Sequence, residues 1–192
     1  MRLPAFGHPF ENAEALIYTL SKSMKTLIPK PKIERRVKAI ARKISKDYKG
    51  KDLVLIGILK GAFVFLSDLI RNVTIPVEID FIQVASYGAS TASSGVIKIK
   101  KDIDLPVVNK HILIVEDIID YGYTLDYLLR FLKHKKPRSV KICALLDKPS
   151  RRKVKVPIAY KGFTVPDRFI VGYGLDYNEK YRNLPYIGYL QK

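Results

Sequence analysis

The sequence predicts an α/β fold with a central parallel sheet and helices on both of its faces. Three observations carry this reading. Strand-length aliphatic runs alternate with helical periods through the middle of the chain. The run Leu53 to Leu59 has no polar residue, as a strand buried on both faces requires. Ile33, Val37, Ile40, Ile44 and Tyr48 recur at helical spacing, with basic residues on the opposite face.

The elements follow in order. Residues 1 to about 30 stand apart, with several prolines and a short amphipathic piece from Asn12 to Met24. Residues 1–25 are read as an N-terminal extension and 26–192 as the domain. Ile33 to Tyr48 forms a helix that Gly50 ends. Leu53 to Leu59 is a buried strand, Lys60-Gly61 breaks it, and Ala62 to Arg71 is an apolar helix. Pro76 opens a strand over Val77 to Ser86. Tyr87 to Gly95 is rich in Gly, Ser, Ala and Thr and reads as a mobile loop. Val96 to Lys100 alternates as a strand, and His111 to Val115 is a short buried one. A helix over Thr124 to Lys135 carries Leu125, Leu128, Leu129 and Leu132 on one face. Val140 to Leu146 is another strand, followed by short strands near Tyr160 to Phe163, Phe169 to Gly172 and Tyr186 to Tyr189.

The chain has 192 residues, enough to bury most of its apolar surface. Its longest aliphatic runs are far shorter than a membrane span, and the N-terminus lacks a basic-then-apolar signal pattern. A single cysteine, Cys143, cannot form an internal disulfide, which points to a reducing cytoplasm. The net charge of +17 invites an anionic partner, either phosphorylated substrates or nucleic acid. Much of it is spread over Arg35, Arg36, Lys38, Arg42, Lys43, Lys46 and Lys49 without interleaved aromatics. A solvated surface explains most of the charge better than a nucleic-acid platform does.

Ligands of parallel α/β sheets gather beyond the carboxyl ends of the strands. That rule points to Leu59-Lys60-Gly61, to Glu116–Thr124, to Asp147-Lys148 and to the stretch after Val171. The sequence has no P-loop and no Gly-x-Gly-x-x-Gly fingerprint, and His8, His111 and His134 show no zinc spacing. There is no Gly-x-Ser-x-Gly for a nucleophilic centre. The stretch Val-Glu-Asp-Ile-Ile-Asp-Tyr-Gly-Tyr-Thr at 115–124 is different in kind. Amides from Asp120 to Thr124 at a helix N-terminus favour a phosphate, and Thr124 adds a hydroxyl. Glu116 and Asp117 cannot bind phosphate, but they can accept from sugar hydroxyls or hold hydrated Mg²⁺. A phosphorylated ribose carrying pyrophosphate satisfies all of these groups. A lone Asp-x-Gly would be read as a helix cap; the whole pattern after a buried strand is not.

This stretch resembles the PRPP-binding motif of type I phosphoribosyltransferases. From Ile33 to Leu190 the chain is similar to bacterial hypoxanthine-guanine phosphoribosyltransferases almost throughout. The resemblance is carried by Leu59-Lys60-Gly61-Ala62-Phe63, Ile79-Asp80-Phe81, Ser86-Tyr87-Gly88, Ser93-Ser94-Gly95, Leu146-Asp147-Lys148-Pro149, Pro166 to Asp176, and Tyr181-Arg182-Asn183-Leu184-Pro185. It implies a type I phosphoribosyltransferase-like fold with a small hood over the active site. It also implies transfer of 5-phosphoribosyl from PRPP to hypoxanthine, guanine or xanthine, with Mg²⁺ and release of pyrophosphate.

The resemblance also assigns residues. Glu116 and Asp117 hold the ribose hydroxyls and act through Mg²⁺, and Asp120 is the general base toward purine N7. Asp120, Tyr121, Gly122, Tyr123 and Thr124 complete the PRPP site. Lys60, Gly61 and Arg182 take pyrophosphate, the peptide before Lys60 being cis in the family. Lys148 donates to the exocyclic oxygen of the purine, which disfavours the amino group of adenine. Phe169 stacks on the purine, Ile170 offers backbone groups, and Asp176 lies on the purine side as a Mg²⁺-associated carboxylate. Ser86 and Tyr87 belong to a loop that closes over the site. A homodimer or homotetramer is implied. The departure is Tyr121, where the family has a threonine that binds the 5′-phosphate. Its ring either points away or fills the phosphate pocket. An RNA-binding regulator of this fold, or a ligand-binding pseudoenzyme created by Tyr121, are the alternatives to an active enzyme.

Overall fold

In a computed structural model of the chain, residues 24–87 and 96–190 are described. The amphipathic piece expected over Asn12 to Met24 and the loop expected over Tyr87 to Gly95 lie outside them, except that Met24 and Tyr87 belong to strands. Six strands form the main sheet: β2 (Leu53–Leu59), β3 (Glu78–Tyr87), β4 (Val96–Lys101), β5 (His111–Ile119), β6 (Ser139–Asp147) and β7 (Ile158–Thr164), in the order β4-β3-β2-β5-β6-β7. All neighbours are parallel except β3 and β4, which are antiparallel. The helices are α1 (Lys30–Asp47), α2 (Phe63–Ile70) and α3 (Tyr123–His134).

Side-chain alternation in β2 shows why its sequence is uniformly apolar. Leu53 and Leu55 join a core with Ile33, Val37, Ile44, Phe65 and Leu69 of α1 and α2. Val54, Ile56 and Ile58 join a second core with Leu125, Leu128 and Leu132 of α3. Each face of the strand is covered by a helix layer, so neither can be polar. Helix α1 begins three residues before the expected start, because Pro31 sits in its first turn, where a missing N–H costs nothing.

Two differences from the sequence reading matter. The chain forms a strand over Met24–Ile28 (β1), within the stretch read as separate. It pairs antiparallel with β9 (Ile187–Leu190), which also pairs with β8 (Ile170–Val171), giving a small sheet in the order β1-β9-β8. A five-residue edge strand with only its last residue buried carries too little periodicity to be seen before its partner is known. Strand β5 also runs on through Glu116 and Asp117 to Ile119, rather than ending at Val115. Its backbone continues to pair with β6 as Glu116↔Ala144, Ile118↔Leu146 and Ile119↔Asp147. Charged residues read as a break, but at the carboxyl end of a parallel sheet the backbone stays paired while side chains face the cleft.

Candidate active site

The strand ends place the chemistry. Glu116 and Asp117 are both buried, on the last part of β5, and both line a cleft of about 300 Å³ with Ile58, Ile97 and the residues from Ile118 to Leu125. Burial, and then the negative charge of neighbouring Asp117, push the Glu116 carboxyl well above the usual range. Asp117 accepts the N–H of Ile118 through Oδ1 at 2.7 Å. The chain after β2 lies directly on Asp117. A Cβ on Gly61 would overlap its carboxylate, and a Cβ on Gly174 would fall on the carbonyl oxygen of Gly61. Glycine at both positions lets the end of β2, the end of β5 and the segment after β8 close on one another. The Leu59–Lys60 peptide is cis.

Beyond Ile119 the chain turns through Asp120, Tyr121 and Gly122 into α3, whose first intrahelical bond is Asp126 N–H to Gly122 carbonyl at 3.0 Å. The amides before it have no helical acceptor and point out of the helix N-terminus. A second segment holds the turn in place. The Tyr121 carbonyl accepts from the N–H groups of Lys153 (2.9 Å) and Val154 (3.1 Å). The Arg152 guanidinium donates to the carbonyls of Asp120 (3.0 Å) and Ile119 (3.2 Å) and pairs with buried Asp147, which Lys161 also meets at 3.2 Å.

Asp120 itself pairs through Oδ2 with Arg151 at 3.1 Å, and its Oδ1 is buried with no partner among the described residues. Asp120 lines both the cleft and a larger cavity of about 1030 Å³. That cavity also presents Lys148, Phe169, Ile170 and Asp176. Lys148 is buried. Its Nζ donates to the Arg168 carbonyl at 3.0 Å and lies 3.8 Å from Asp167, leaving donor capacity for a ligand oxygen. Phe169 is 55% exposed and perpendicular to the Tyr177 ring, with centroids 5.4 Å apart, which leaves much of its surface available to a planar ring.

On the far side of the Gly61 contact, Lys60 and Arg182 meet the Glu179 carboxylate at 3.0 and 3.3 Å. Hydrogen bonds from Lys60 and then Arg182 hold the Glu179 carboxyl below its usual range. Asp176 pairs with Arg182 at 2.8 Å and accepts the N–H of Glu179 at 2.9 Å.

The structure thus brings Glu116, Asp117 and Gly122 to Thr124 to one cleft, and Lys148, Phe169, Ile170 and Asp176 to the adjoining cavity, with Asp120 between them. Tyr121 is among the residues that line the cleft, and its ring meets the Arg151 guanidinium at 5.1 Å and the Tyr123 ring at 6.5 Å. Ser86 and Tyr87 end β3; residues 88–95, which the sequence reads as a loop, lie outside the described residues. Among the described residues no three His, Cys, Asp or Glu side chains converge as a metal cage. Glu116 and Asp117 nevertheless suit Mg²⁺, which prefers one or two carboxylates completed by water and substrate oxygens. A cation there would also relieve the charge repulsion within the pair. Sequence reasoning missed Arg151, Arg152 and Glu179. The only signal was their closeness to Lys148-Pro149 and Asp176, which says nothing of where a long side chain reaches.

Similarity to known proteins agrees with this geometry. The phosphoribosyl transferase domain family matches residues 23–178. The hypoxanthine-guanine phosphoribosyltransferase of Bacillus subtilis is 50% identical over 167 residues, which is 87% of this chain and 93% of that protein. The hypoxanthine phosphoribosyltransferase of Escherichia coli K12 is 46% identical over 171 residues, 88% of this chain and 96% of that protein. A crystal structure of a hypoxanthine phosphoribosyltransferase from Staphylococcus aureus superposes with a TM-score of 0.87 at 44% identity, covering 90% of this chain and 95% of that one. No described helix is long and apolar enough to cross a membrane. With a family match over most of its length and relatives near half identity, the chain belongs to the phosphoribosyl transferase family, in its hypoxanthine phosphoribosyltransferase branch.

Proposed function

We propose that this enzyme transfers 5-phosphoribosyl from PRPP to hypoxanthine or guanine, with xanthine as a third 6-oxo candidate, giving the nucleoside monophosphate (IMP or GMP) and pyrophosphate. The observation that carries this reading is the position of Asp120, shared by the carboxylate-floored cleft and the larger cavity. A base there reaches a purine on one side and a sugar on the other.

The bond from the ribose carbon to pyrophosphate breaks as the bond to purine nitrogen forms, and positive charge develops on the sugar. Buried Glu116 and Asp117 favour that charge and accept from the ribose hydroxyls. Amides of Gly122, Tyr123 and Thr124, with the Thr124 hydroxyl, take the 5′-phosphate at the start of α3. Lys60, the Gly61 backbone and Arg182 take pyrophosphate. Lys148 donates to the 6-oxo group, Phe169 stacks on the ring, and the Ile170 backbone meets its edge. Asp120, whose Oδ1 has no partner among the described residues, accepts the N–H at purine N7 and takes its proton. Glu116 and Asp117 would hold Mg²⁺, Asp176 would meet Mg²⁺ through water on the purine side, and the positive charge so supplied would offset that of pyrophosphate. Ser86 and Tyr87 would close over the reacting atoms and exclude water.

The named transferase relatives favour this reading over an RNA-binding regulator or a pseudoenzyme. A cytoplasmic homo-oligomer is part of the proposal; buried, unpaired Cys143 suits a reducing compartment. The deciding experiment is a purine panel assayed with PRPP and Mg²⁺. Turnover of hypoxanthine or guanine but not adenine is expected. No turnover at saturating PRPP would sink the proposal.

A further inference from the structure

Glu179 stands where an incoming anion would stand. Its Oε2 lies 3.0 Å from Lys60 Nζ and 3.3 Å from Arg182 Nη2, so one carboxylate oxygen is shared by an ammonium and a guanidinium. Lys60 and Glu179 are 119 residues apart in the chain, so this pair is made by the fold and not by local sequence. The backbone that presents Glu179 is pinned. Its N–H bonds to Asp176 Oδ2 at 2.9 Å, Tyr177 and Lys180 exchange backbone bonds at 3.1 Å, and Asn178 and Glu179 both hold left-handed φ, 51° and 62°. Arg182 is fixed as well, by Asp176 and by the Gly174 carbonyl at 2.7 Å. Its Nε is buried with no acceptor among the described residues, so the guanidinium has a donor still unmet.

We propose that Glu179 is a built-in stand-in for the leaving diphosphate. It holds Lys60 and Arg182 together when no ligand is bound, and a diphosphate must displace it. This rests on the reading that Lys60 and Arg182 take pyrophosphate. A diphosphate carries more charge than a carboxylate and offers more oxygens to the two cations, so it wins the competition. The carboxylate then waits beside the two cations and competes for them again as the product leaves. Glu179 therefore weakens diphosphate binding and hastens its release.

The test compares wild type with Glu179→Gln, which keeps length and shape and removes the charge. Titration calorimetry with inorganic pyrophosphate and Mg²⁺ is the direct readout, with product inhibition by pyrophosphate as the second. Glu179→Gln should bind pyrophosphate about 1.5- to 5-fold more tightly, the range set by one exposed ion pair. Inhibition should strengthen by the same factor. The gap should close as KCl rises from about 0.05 to about 0.5 M, since screening removes the competition. Glu179→Asp keeps the charge on a shorter stem and should fall between the two. Equal or weaker binding by Glu179→Gln, in a wild type that turns over purine, overturns this inference alone. A wild type that neither binds pyrophosphate nor turns over removes the underlying reading with it.

Discussion

The Arg151 guanidinium lies 5.1 Å over the ring of Tyr121 while its Nη1 holds Asp120 at 3.1 Å and its Nε holds Asp167 at 3.2 Å. Tyr121, which departs from the motif that the resemblance implies, is thus packed against the residue that meets the proposed base. The backbone of Tyr121 is anchored independently, through its carbonyl, by Lys153 and Val154. Changing the side chain should therefore leave the turn where it is. Tyr121→Thr removes a ring from the cleft and restores a hydroxyl near the first amides of α3. The loss of the cation–π contact costs about 0.5–1 kcal/mol. The expected outcome is a several-fold lower KM for PRPP, with kcat changed by less than about 3-fold, read from initial rates. An unchanged KM would show that the ring is innocuous.

Gly61→Ala should be a severe loss of function with a modest loss of stability. The added methyl falls on the Asp117 carboxylate, and one of the two must move. Overpacking of this kind costs about 1–3 kcal/mol. Displacing Asp117 by a fraction of an ångström, however, misplaces the floor of the cleft, and activity should fall about 100-fold or more. Thermal unfolding and kcat/KM measured together separate the two effects. A Gly61→Ala enzyme with near wild-type activity would show that Asp117 has room the structure does not show.

Lys148→Gln should blur the distinction between 6-oxo and 6-amino purines. The buried ammonium can only donate, whereas an amide can also accept. Loss of a charge-assisted bond predicts a drop of about 10- to 100-fold in kcat/KM for hypoxanthine. The hypoxanthine-to-adenine ratio should narrow, because the amide can meet the amino group. If the ratio is unchanged in competition assays, recognition of the 6-position lies elsewhere.

Asp80 gives the molecule a pH-dependent brace. Its carboxylate accepts from the N–H groups of Phe81 (2.7 Å), Asp104 (2.7 Å) and Leu105 (2.9 Å), and lies 3.5 Å from Lys101. Burial acts to raise its pKa, but the three backbone bonds and Lys101 outweigh it and bring the value below the usual range. A depressed carboxyl stabilises the fold above its unfolded pKa, and that stability is lost as pH falls through the folded value. Asp80→Asn should cost about 1.5–3 kcal/mol in urea unfolding at pH 7. The gap from wild type should narrow as the pH drops below about 4. A gap that stays constant with pH would mean that charge plays no part.

The helix layers and the main sheet were legible because their cores repeat along the chain. Leu53 to Leu59 and the face of Leu125, Leu128 and Leu132 announce their burial by period alone. The carboxylates of β5 were legible as chemistry because such a cluster has no packing reason to exist. What escaped were elements whose meaning comes from a distant partner. Strand β1 is defined by β9, and the reach of Arg151, Arg152 and Glu179 is fixed by segments that local spacing does not connect. The end of β5 was misplaced for a related reason: side-chain polarity marks exposure, whereas strand length follows backbone pairing with β6.

The pairing of Met24 with Leu190 joins the first and last described strands. During synthesis, β1 leaves the ribosome with no partner and must wait until nearly the whole domain has followed. The strand ends that carry the carboxylates can pair beforehand, since β2, β5 and β6 are direct neighbours in the main sheet and all precede β9. The small sheet is therefore the last part that vectorial folding can complete, and a chain cut short before β9 would carry the carboxylates in place under an unfinished roof.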